Sequence, residues 1–203
     1  MAGRGSSNAK AMAAADNQLR PLALSSRGDA FTDAGREMLR AFYGDGALFA
    51  KALALYEDEN RIGDTDRDID MSTDVNLRCG AGLSSRLHDR IAPTWRYEFT
   101  HGYAPLGAVH IWDMQYVFGV MSAPADQPRD LGLSKTIQMY WTNFAKGGDP
   151  NHGSLPAWPR ASTSQFLDFA STGAVVREDP RTAECNLFDR RIDEVVAAQL
   201  AKE

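Results

Sequence analysis

The sequence has little of several features that mark specialised classes of protein. It contains no run approaching the roughly 18 apolar residues that a membrane-spanning helix needs. Its 22 basic residues are fewer than its 27 acidic ones and form no stripe, so neither nucleic acid nor an anionic membrane surface is an expected partner. With 203 residues, 43% of them hydrophobic, it has the composition of a globular protein.

Cysteine is also scarce. Cys79 and Cys185 are the two in the sequence, and neither belongs to a CxxC motif or a Cys/His cluster. A structural zinc site is therefore not expected. The residues alone leave open two buried thiols or one disulfide. The apolar run AMAAA is too weak for a signal peptide, which favours thiols and a cytoplasmic location.

Two segments are expected to lie outside the packed core. Residues 1–30 are rich in Ala, Ser, Gly and polar groups, and we interpret them as a flexible arm. The acidic stretch EDENRIGDTDRDID (57–70) resembles a calcium loop, but an EF-hand loop starting at Asp64 needs Gly at its sixth position and Glu at its twelfth. Ile69 and Val75 occupy those positions, so we predict a solvated loop without a metal.

Apolar periodicity predicts five helices. The first runs from Thr32 to Tyr43 and ends at Gly44, and GALFAKALALY (46–56) forms the second. Ser72 or Thr73 is expected to cap a third. The remaining two are SKTIQMYWTNFAKGG (134–148), with Ser134 as N-cap, and an amphipathic helix in the tail NLFDRRIDEVVAAQLAKE, with Leu187, Ile192, Val195, Val196 and Leu200 on its apolar face.

Three segments have the pattern of strands. In PTWRYEFTH (93–101), Trp95, Tyr97 and Phe99 alternate with polar residues, which predicts a strand with one buried face. FLDFA and AVVRE, joined by STG, predict a hairpin. Helices and strands intermix along the chain, so the predicted fold class is α/β.

The stretch GAVHIWDMQYVFG (107–119) places His110 among apolar and aromatic residues that look suited to burial. A buried imidazole must be satisfied by partners or used in chemistry. The other histidines, His88, His101 and His152, are predicted to be surface or loop residues. Four aromatic residues are predicted to pack in the core: Tyr116, Phe118, Trp141 and Phe144.

Three ordered blocks carry a resemblance to a known family: GAVHIWDMQYVFG, YWTNFAKGGDPN (140–151) and LPAWPR (155–160). Together they resemble the C-terminal part of the carboxylesterase type B (cholinesterase-like) family of α/β-hydrolases. The resemblance runs from about residue 31 to residue 203. It implies the C-terminal part of an α/β-hydrolase domain, with helices packed on a few strands of an incomplete sheet.

The resemblance also implies roles for individual residues. His110 matches the family's catalytic base, and Asp113 falls at a helper position where the family usually has Glu. The family commonly has Gly directly after this histidine, whereas here Ile111 follows. Cys79 and Cys185 lie near two family cysteines that form a disulfide in secreted members, which would place the chain in an oxidising compartment, secreted or periplasmic. No cofactor is implied, and His110 with Asp113 lacks a third metal ligand.

Serine esterase chemistry needs parts that this sequence does not contain. It has neither the GxSxG motif of the nucleophile nor an HGGG-type oxyanion loop. The one carboxylate about a hundred residues before His110, Asp16, lies in no acid motif and is not assigned. We therefore expect the C-terminal segment of an ester hydrolase, inactive alone and prone to self-association; its substrate would be a small-molecule ester. The alternative is a binding module derived from the esterase fold.

Overall fold

The computed structural model describes residues 32–58, 67–102, 108–121 and 128–202. The predicted arm at residues 1–30, Asp16 and the calcium-loop position Asp64 lie outside these ranges. The described chain separates into two compact units. One contains the residues up to Ser84 together with those from Pro180 onwards, and the other contains Ser85–Asp179.

The first unit is helical. Helix α1 (Asp33–Tyr43) begins where the Thr32 hydroxyl accepts a hydrogen bond from the Gly35 N–H and ends at Gly44, as predicted. Helix α2 (Ala47–Glu57) also matches the prediction. They are followed by α3 (Arg67–Thr73), a π-helical segment (Asp74–Arg78), α4 (Cys79–His88) and, at the end of the chain, α7 (Thr182–Leu200).

The predicted cap of the third helix is wrong. The helix begins at Arg67, so Ser72 and Thr73 lie inside it, and Thr73 has helical backbone angles (φ −64°, ψ −44°). Asp68 and Asp70, two of the acidic residues that suggested a loop, lie in its first turn, where the helix dipole favours negative charge. The closing helix likewise begins at Thr182, and its predicted apolar residues Val195, Val196 and Leu200 are exposed.

The core of the first unit combines apolar side chains with a buried ion pair. Its apolar members are Leu39, Tyr43, Ala52, Tyr56, Met71 and Leu187. Asp74, in the π-helical segment, is 1% exposed and accepts hydrogen bonds from Arg181 at 2.6 and 2.8 Å and from the Tyr56 hydroxyl at 3.0 Å. Burial opposes the charge on Arg181, but its hydrogen bonds to Asp74 outweigh that effect and raise its pKa.

Cys79 and Cys185 form a disulfide that joins α4 to α7 within this unit. Of the two alternatives that the residues left open, the structure therefore has the bridge. It closes a loop with a sequence separation of 106 residues. In the chain-entropy picture, a loop of that length stabilises the folded state by about 4 to 5 kcal/mol.

The second unit contains a three-stranded sheet in the order β1-β2-β3. Strand β1 (Tyr97–Phe99) pairs in parallel with β2 (Gln165–Ala170), which pairs antiparallel with β3 (Gly173–Glu178). The predicted hairpin is confirmed. The first strand is shorter than predicted, because Trp95 makes only an isolated bridge with Arg160.

Two helices accompany the sheet in this unit. They are α5 (Met114–Phe118) and α6 (Pro128–Gly147). The predicted N-cap of α6 is wrong: the helix begins at Pro128, a residue type favoured at the first helical position, and Ser134 is buried inside it. Tyr116 is fully buried and Trp141 packs against the core, as predicted, but Phe118 and Phe144 are exposed. Among the described helices, none has the length and hydropathy of a membrane span.

The Asp74–Arg181 pair gives a testable prediction for stability. Arg181→Met should lower the free energy of unfolding by about 2 kcal/mol, because it removes two hydrogen bonds and one counter-charge from the buried Asp74 carboxylate, which keeps its ion pair with Arg78. The exposed ion pair of Arg36 with Glu57 offers a matched control, and Arg36→Met should change stability by less than about 1 kcal/mol. Urea denaturation followed by circular dichroism measures both. Equal losses in the two variants would contradict the prediction.

Candidate active site

His110 lies in a turn that leads into α5. The Trp112 N–H donates to the Val109 carbonyl (3.1 Å) and the Met114 N–H to the Ile111 carbonyl (3.2 Å), which closes the turn. His110 is exposed, so the expected burial of this residue is wrong. Within residues 32–58, 67–102, 108–121 and 128–202, no side chain forms a hydrogen bond with its imidazole. Both ring nitrogens are thus open to groups outside these ranges.

The residue after the histidine has an unusual backbone. Ile111 has φ 64°, and it is the one non-glycine residue with positive φ in the part of the chain that the structure describes. A β-branched side chain is strained in this left-handed region, where glycine is not. Such strain costs on the order of 1–3 kcal/mol and concentrates at functional sites.

Helix α5 fixes the turn from its C-terminal side through Tyr116. The Tyr116 hydroxyl donates to Asp130 Oδ1 (3.3 Å), and its carbonyl accepts from the Ser134 hydroxyl (2.7 Å) and Gln138 Nε2 (3.3 Å). The helix ends at Gly119, at φ 65°, where a Cβ atom would lie 2.7 Å from Gln138 Nε2. The glycine of the YVFG motif is therefore favoured by its backbone conformation, whereas the flexible end of Gln138 could shift to admit a Cβ atom.

Asp113 is held by β1. Its Oδ2 accepts a hydrogen bond of 2.6 Å from the Tyr97 hydroxyl. Burial, and then the hydrogen bond to Asp113, raise the pKa of Tyr97 above its usual range, so the phenol remains a donor. The structure thus brings Asp113 to Tyr97 and forms no hydrogen bond between Asp113 and His110.

A second histidine, His101, is the centre of a buried polar cluster. It lies in the loop that follows β1, within the prediction of a surface or loop residue, but it is 1% exposed and so is not at the surface; His88 and His152 are exposed as predicted. His101 Nε2 lies 2.6 Å from Asp130 Oδ1, and its Nδ1 lies 2.8 Å from Ser171 Oγ. Asp130 is fully buried.

A sequence signal for His101 exists, because it extends the strand alternation. It is two residues beyond Phe99, as Phe99 is two beyond Tyr97, so it falls on the same side of the chain. Asp130 and Ser171 come from α6 and from the turn after β2, and no sequence pattern joins them to it. No group of three or more His, Cys, Asp or Glu in the described ranges could hold a metal ion.

Comparison with known proteins places this geometry in a family. A family model for the carboxylesterase family matches residues 30–188, which is well over half of the chain. The chain belongs to the carboxylesterase family. This agrees with the family that the histidine, YWTNFAKGGDPN and LPAWPR blocks indicated.

Individual relatives match this carboxylesterase-family chain over shorter stretches. A bile salt-activated lipase of Mus musculus is 42% identical over 79 residues, covering 35% of the chain and 13% of the lipase. Carboxylesterase 1D of Rattus norvegicus is 35% identical over 120 residues, covering 53% of the chain and 21% of the relative. The chain therefore matches only a small part of the length of these proteins.

Solved structures give the same result for the fold. A thermophilic PNB esterase superposes with a TM-score of 0.61 and 24% identity, over 79% of this chain and 34% of the esterase. Another PNB esterase structure gives a TM-score of 0.61 and 25% identity, over 80% and 34% of the two chains. The described fold thus matches part of an α/β-hydrolase, as predicted, and its sheet has three strands.

The strained residue beside His110 leads to a second prediction. Ile111→Gly should raise the free energy of unfolding by about 1 kcal/mol, because relief of backbone strain exceeds the entropic cost of glycine. Ile111→Ala is the matched control, because it also removes most of the side chain at this position but keeps a Cβ atom and therefore the unfavourable φ. Thermal or urea unfolding distinguishes them, and a glycine variant no more stable than the alanine variant would refute the strain argument.

Proposed function

We propose that this chain supplies the catalytic histidine, His110, to a serine-dependent carboxylic ester hydrolase. Membership of the carboxylesterase family and the match of GAVHIWDMQYVFG to the family's histidine element support this role. The observation that carries it is the state of His110: exposed, on a fixed turn, with no hydrogen bond to a described side chain. An imidazole in that state can accept a proton from a nucleophile held elsewhere.

The chemistry follows from the requirements of acyl transfer. A serine hydroxyl attacks the ester carbonyl while His110 takes its proton, and the protonated His110 then gives that proton to the departing alcohol. Water then attacks the acyl-serine in the same way: His110 takes a proton from the water and returns it to the serine oxygen as the acid departs. A carboxylate must orient the imidazole, and N–H donors must stabilise the oxyanion. We propose that these groups lie in parts of the esterase fold not contained in this sequence, so His110 alone supports no turnover.

Asp113 fits a helper role in this scheme. Its hydrogen bond with Tyr97 joins the histidine turn to the sheet, and it is separate from the attachment of Tyr116 to α6. We propose that Asp113 positions the turn and is not the acid of the triad. Asp113 forms no hydrogen bond with His110, which supports this assignment.

A graft tests His110 directly. Residues 107–119 replace the matching histidine loop of a PNB esterase that keeps its own serine and acid. The chimaera should hydrolyse p-nitrophenyl esters, and its His110→Ala version should lose at least about a thousandfold in kcat. A chimaera with parental near-UV circular dichroism but no activity would contradict the proposal, as would activity that survives His110→Ala.

Exposed apolar side chains near the histidine turn support an association of the chain with further protein. Ile111 is 46%, Phe118 67% and Val120 72% exposed. All three lie in the segment 111–120, and large exposed apolar patches are uncommon on monomers. We propose that it is covered in a complete esterase and drives self-association of the isolated chain.

Sedimentation velocity tests this prediction. The isolated chain should sediment as oligomers or aggregates, and the double variant Phe118→Ser, Val120→Ser should shift the distribution towards monomer. Ile91→Ser is the control, because Ile91 is 86% exposed but lies outside this surface. A monomeric wild type with sharp near-UV aromatic bands would instead favour the alternative, a binding module that folds by itself.

A further inference from the structure

The cluster around His101 has no part in the proposed chemistry of His110. His101 follows β1, Asp130 lies in the first turn of α6, and Ser171 lies in the turn between β2 and β3. All three belong to the second unit. They form the chain Ser171 Oγ to His101 Nδ1 at 2.8 Å and His101 Nε2 to Asp130 Oδ1 at 2.6 Å.

The hydrogen bonds define the direction in which a proton can move. The Asp130 carboxylate is an acceptor, so the imidazole Nε2 carries the hydrogen that faces it. The neutral ring then has its lone pair on Nδ1, directed at the Ser171 hydroxyl. Asp130 is fully buried and also accepts from the Tyr116 hydroxyl at 3.3 Å, which fixes the carboxylate in place.

Exposure differs along the cluster in the way that nucleophilic catalysis requires. His101 and Asp130 are buried, whereas Ser171 is exposed in a two-residue turn. A small reagent, or water once Ser171 is acylated, can therefore approach at the Ser171 hydroxyl, which His101 Nδ1 faces, while the Asp130 carboxylate stays shielded from water. The backbone of His101 is held as well, since its N–H donates to the Phe169 carbonyl at 3.1 Å.

We propose that Ser171, His101 and Asp130 form a second Ser–His–Asp site, separate from His110, with Ser171 as the nucleophile. Its substrates are small carboxylic esters with a good leaving group, because an exposed hairpin turn offers little surface for binding a larger molecule. The site does not depend on the proposed function of His110.

Each step of this reaction balances. Ser171 Oγ forms a bond to the ester carbonyl carbon, and its proton moves to His101 Nδ1. The carbon–oxygen bond to the leaving group breaks, and the alcohol departs with that proton, leaving an acyl-serine. Water then attacks the acyl carbon while His101 takes one of its protons. The bond between the acyl carbon and Ser171 Oγ breaks, His101 returns the proton to Oγ, and the carboxylic acid departs. Asp130 stabilises the imidazolium in both steps and stays ionised.

The turn also contains candidate donors for the oxyanion. The backbone N–H groups of Ser171 and Thr172 form no hydrogen bond within the described part of the chain. Successive N–H groups in a turn can bind negative charge. They lie in water rather than in a closed pocket, so we expect slow turnover compared with a complete esterase.

Acylation of the full 203-residue chain by p-nitrophenyl acetate tests the site. We expect one acetyl group on Ser171, found by peptide mass spectrometry, and release of p-nitrophenol at least tenfold faster than from Ser171→Ala. His152→Ala, which changes an exposed histidine outside both sites, should leave this rate unchanged. The esterase chimaera contains residues 107–119 but not Ser171, so failure of the His110 proposal and failure of this one can be distinguished. No acetyl group on Ser171, or equal rates for wild type and Ser171→Ala, would overturn the proposal.

A cysteine pair tests the base without disturbing the buried residues. Ser171→Cys and Thr172→Cys place a thiol at neighbouring exposed positions of the same turn, and only the first lies beside His101. At neutral pH, iodoacetamide should alkylate Ser171→Cys at least tenfold faster than Thr172→Cys, because the imidazole promotes thiolate formation. The native cysteines are bonded to each other and do not compete. Equal alkylation rates would refute a base at His101.

Discussion

The second unit depends on the position of the Asp130 carboxylate. Asp130 is buried at the start of α6, and its Oδ1 accepts from His101 Nε2 and from the Tyr116 hydroxyl. These contacts join α6 to the end of β1 and to α5. A fully buried carboxylate is costly unless it is paired and hydrogen-bonded, so each of these partners is constrained to its place. Through Tyr116 the constraint reaches the histidine turn.

The sequence predicted the elements far better than their ends. Helix α1 and the β2–β3 hairpin were predictable because Thr32, Gly44 and the STG turn act locally. Ser134 and Thr73 resemble caps but lie inside helices. The Ser134 hydroxyl donates to a buried carbonyl, that of Tyr116, and Thr73 belongs to a helix that already begins at Arg67. Propensity is a weak prior where tertiary contacts compete.

The two histidines were predicted in the wrong environments for a common reason. His110 lies among apolar residues in the sequence, yet the turn at Ile111 leaves it exposed. The spacing of hydrophobic residues does not reveal backbone strain of that kind. His101 lies between Thr100 and Gly102 at the end of the predicted strand, and strand alternation together with two distant partners buries it. The motif resemblance made His110 a candidate because it carries information on descent, which local chemistry does not contain.

The contrast between these environments separates two uses of an imidazole. His101 has both ring nitrogens engaged, so whatever it does must involve Ser171 and Asp130. Neither ring nitrogen of His110 has a hydrogen bond to a side chain within the described residues. Its turn is nevertheless held by hydrogen bonds between Tyr116 and α6 and between Asp113 and Tyr97. The turn that holds His110 has two unfavourable features: the strained backbone of Ile111 and the exposed apolar side chains nearby. On our proposal, the rest of an esterase fold supplies the serine and the carboxylate that act with His110 and the surface that covers these apolar side chains.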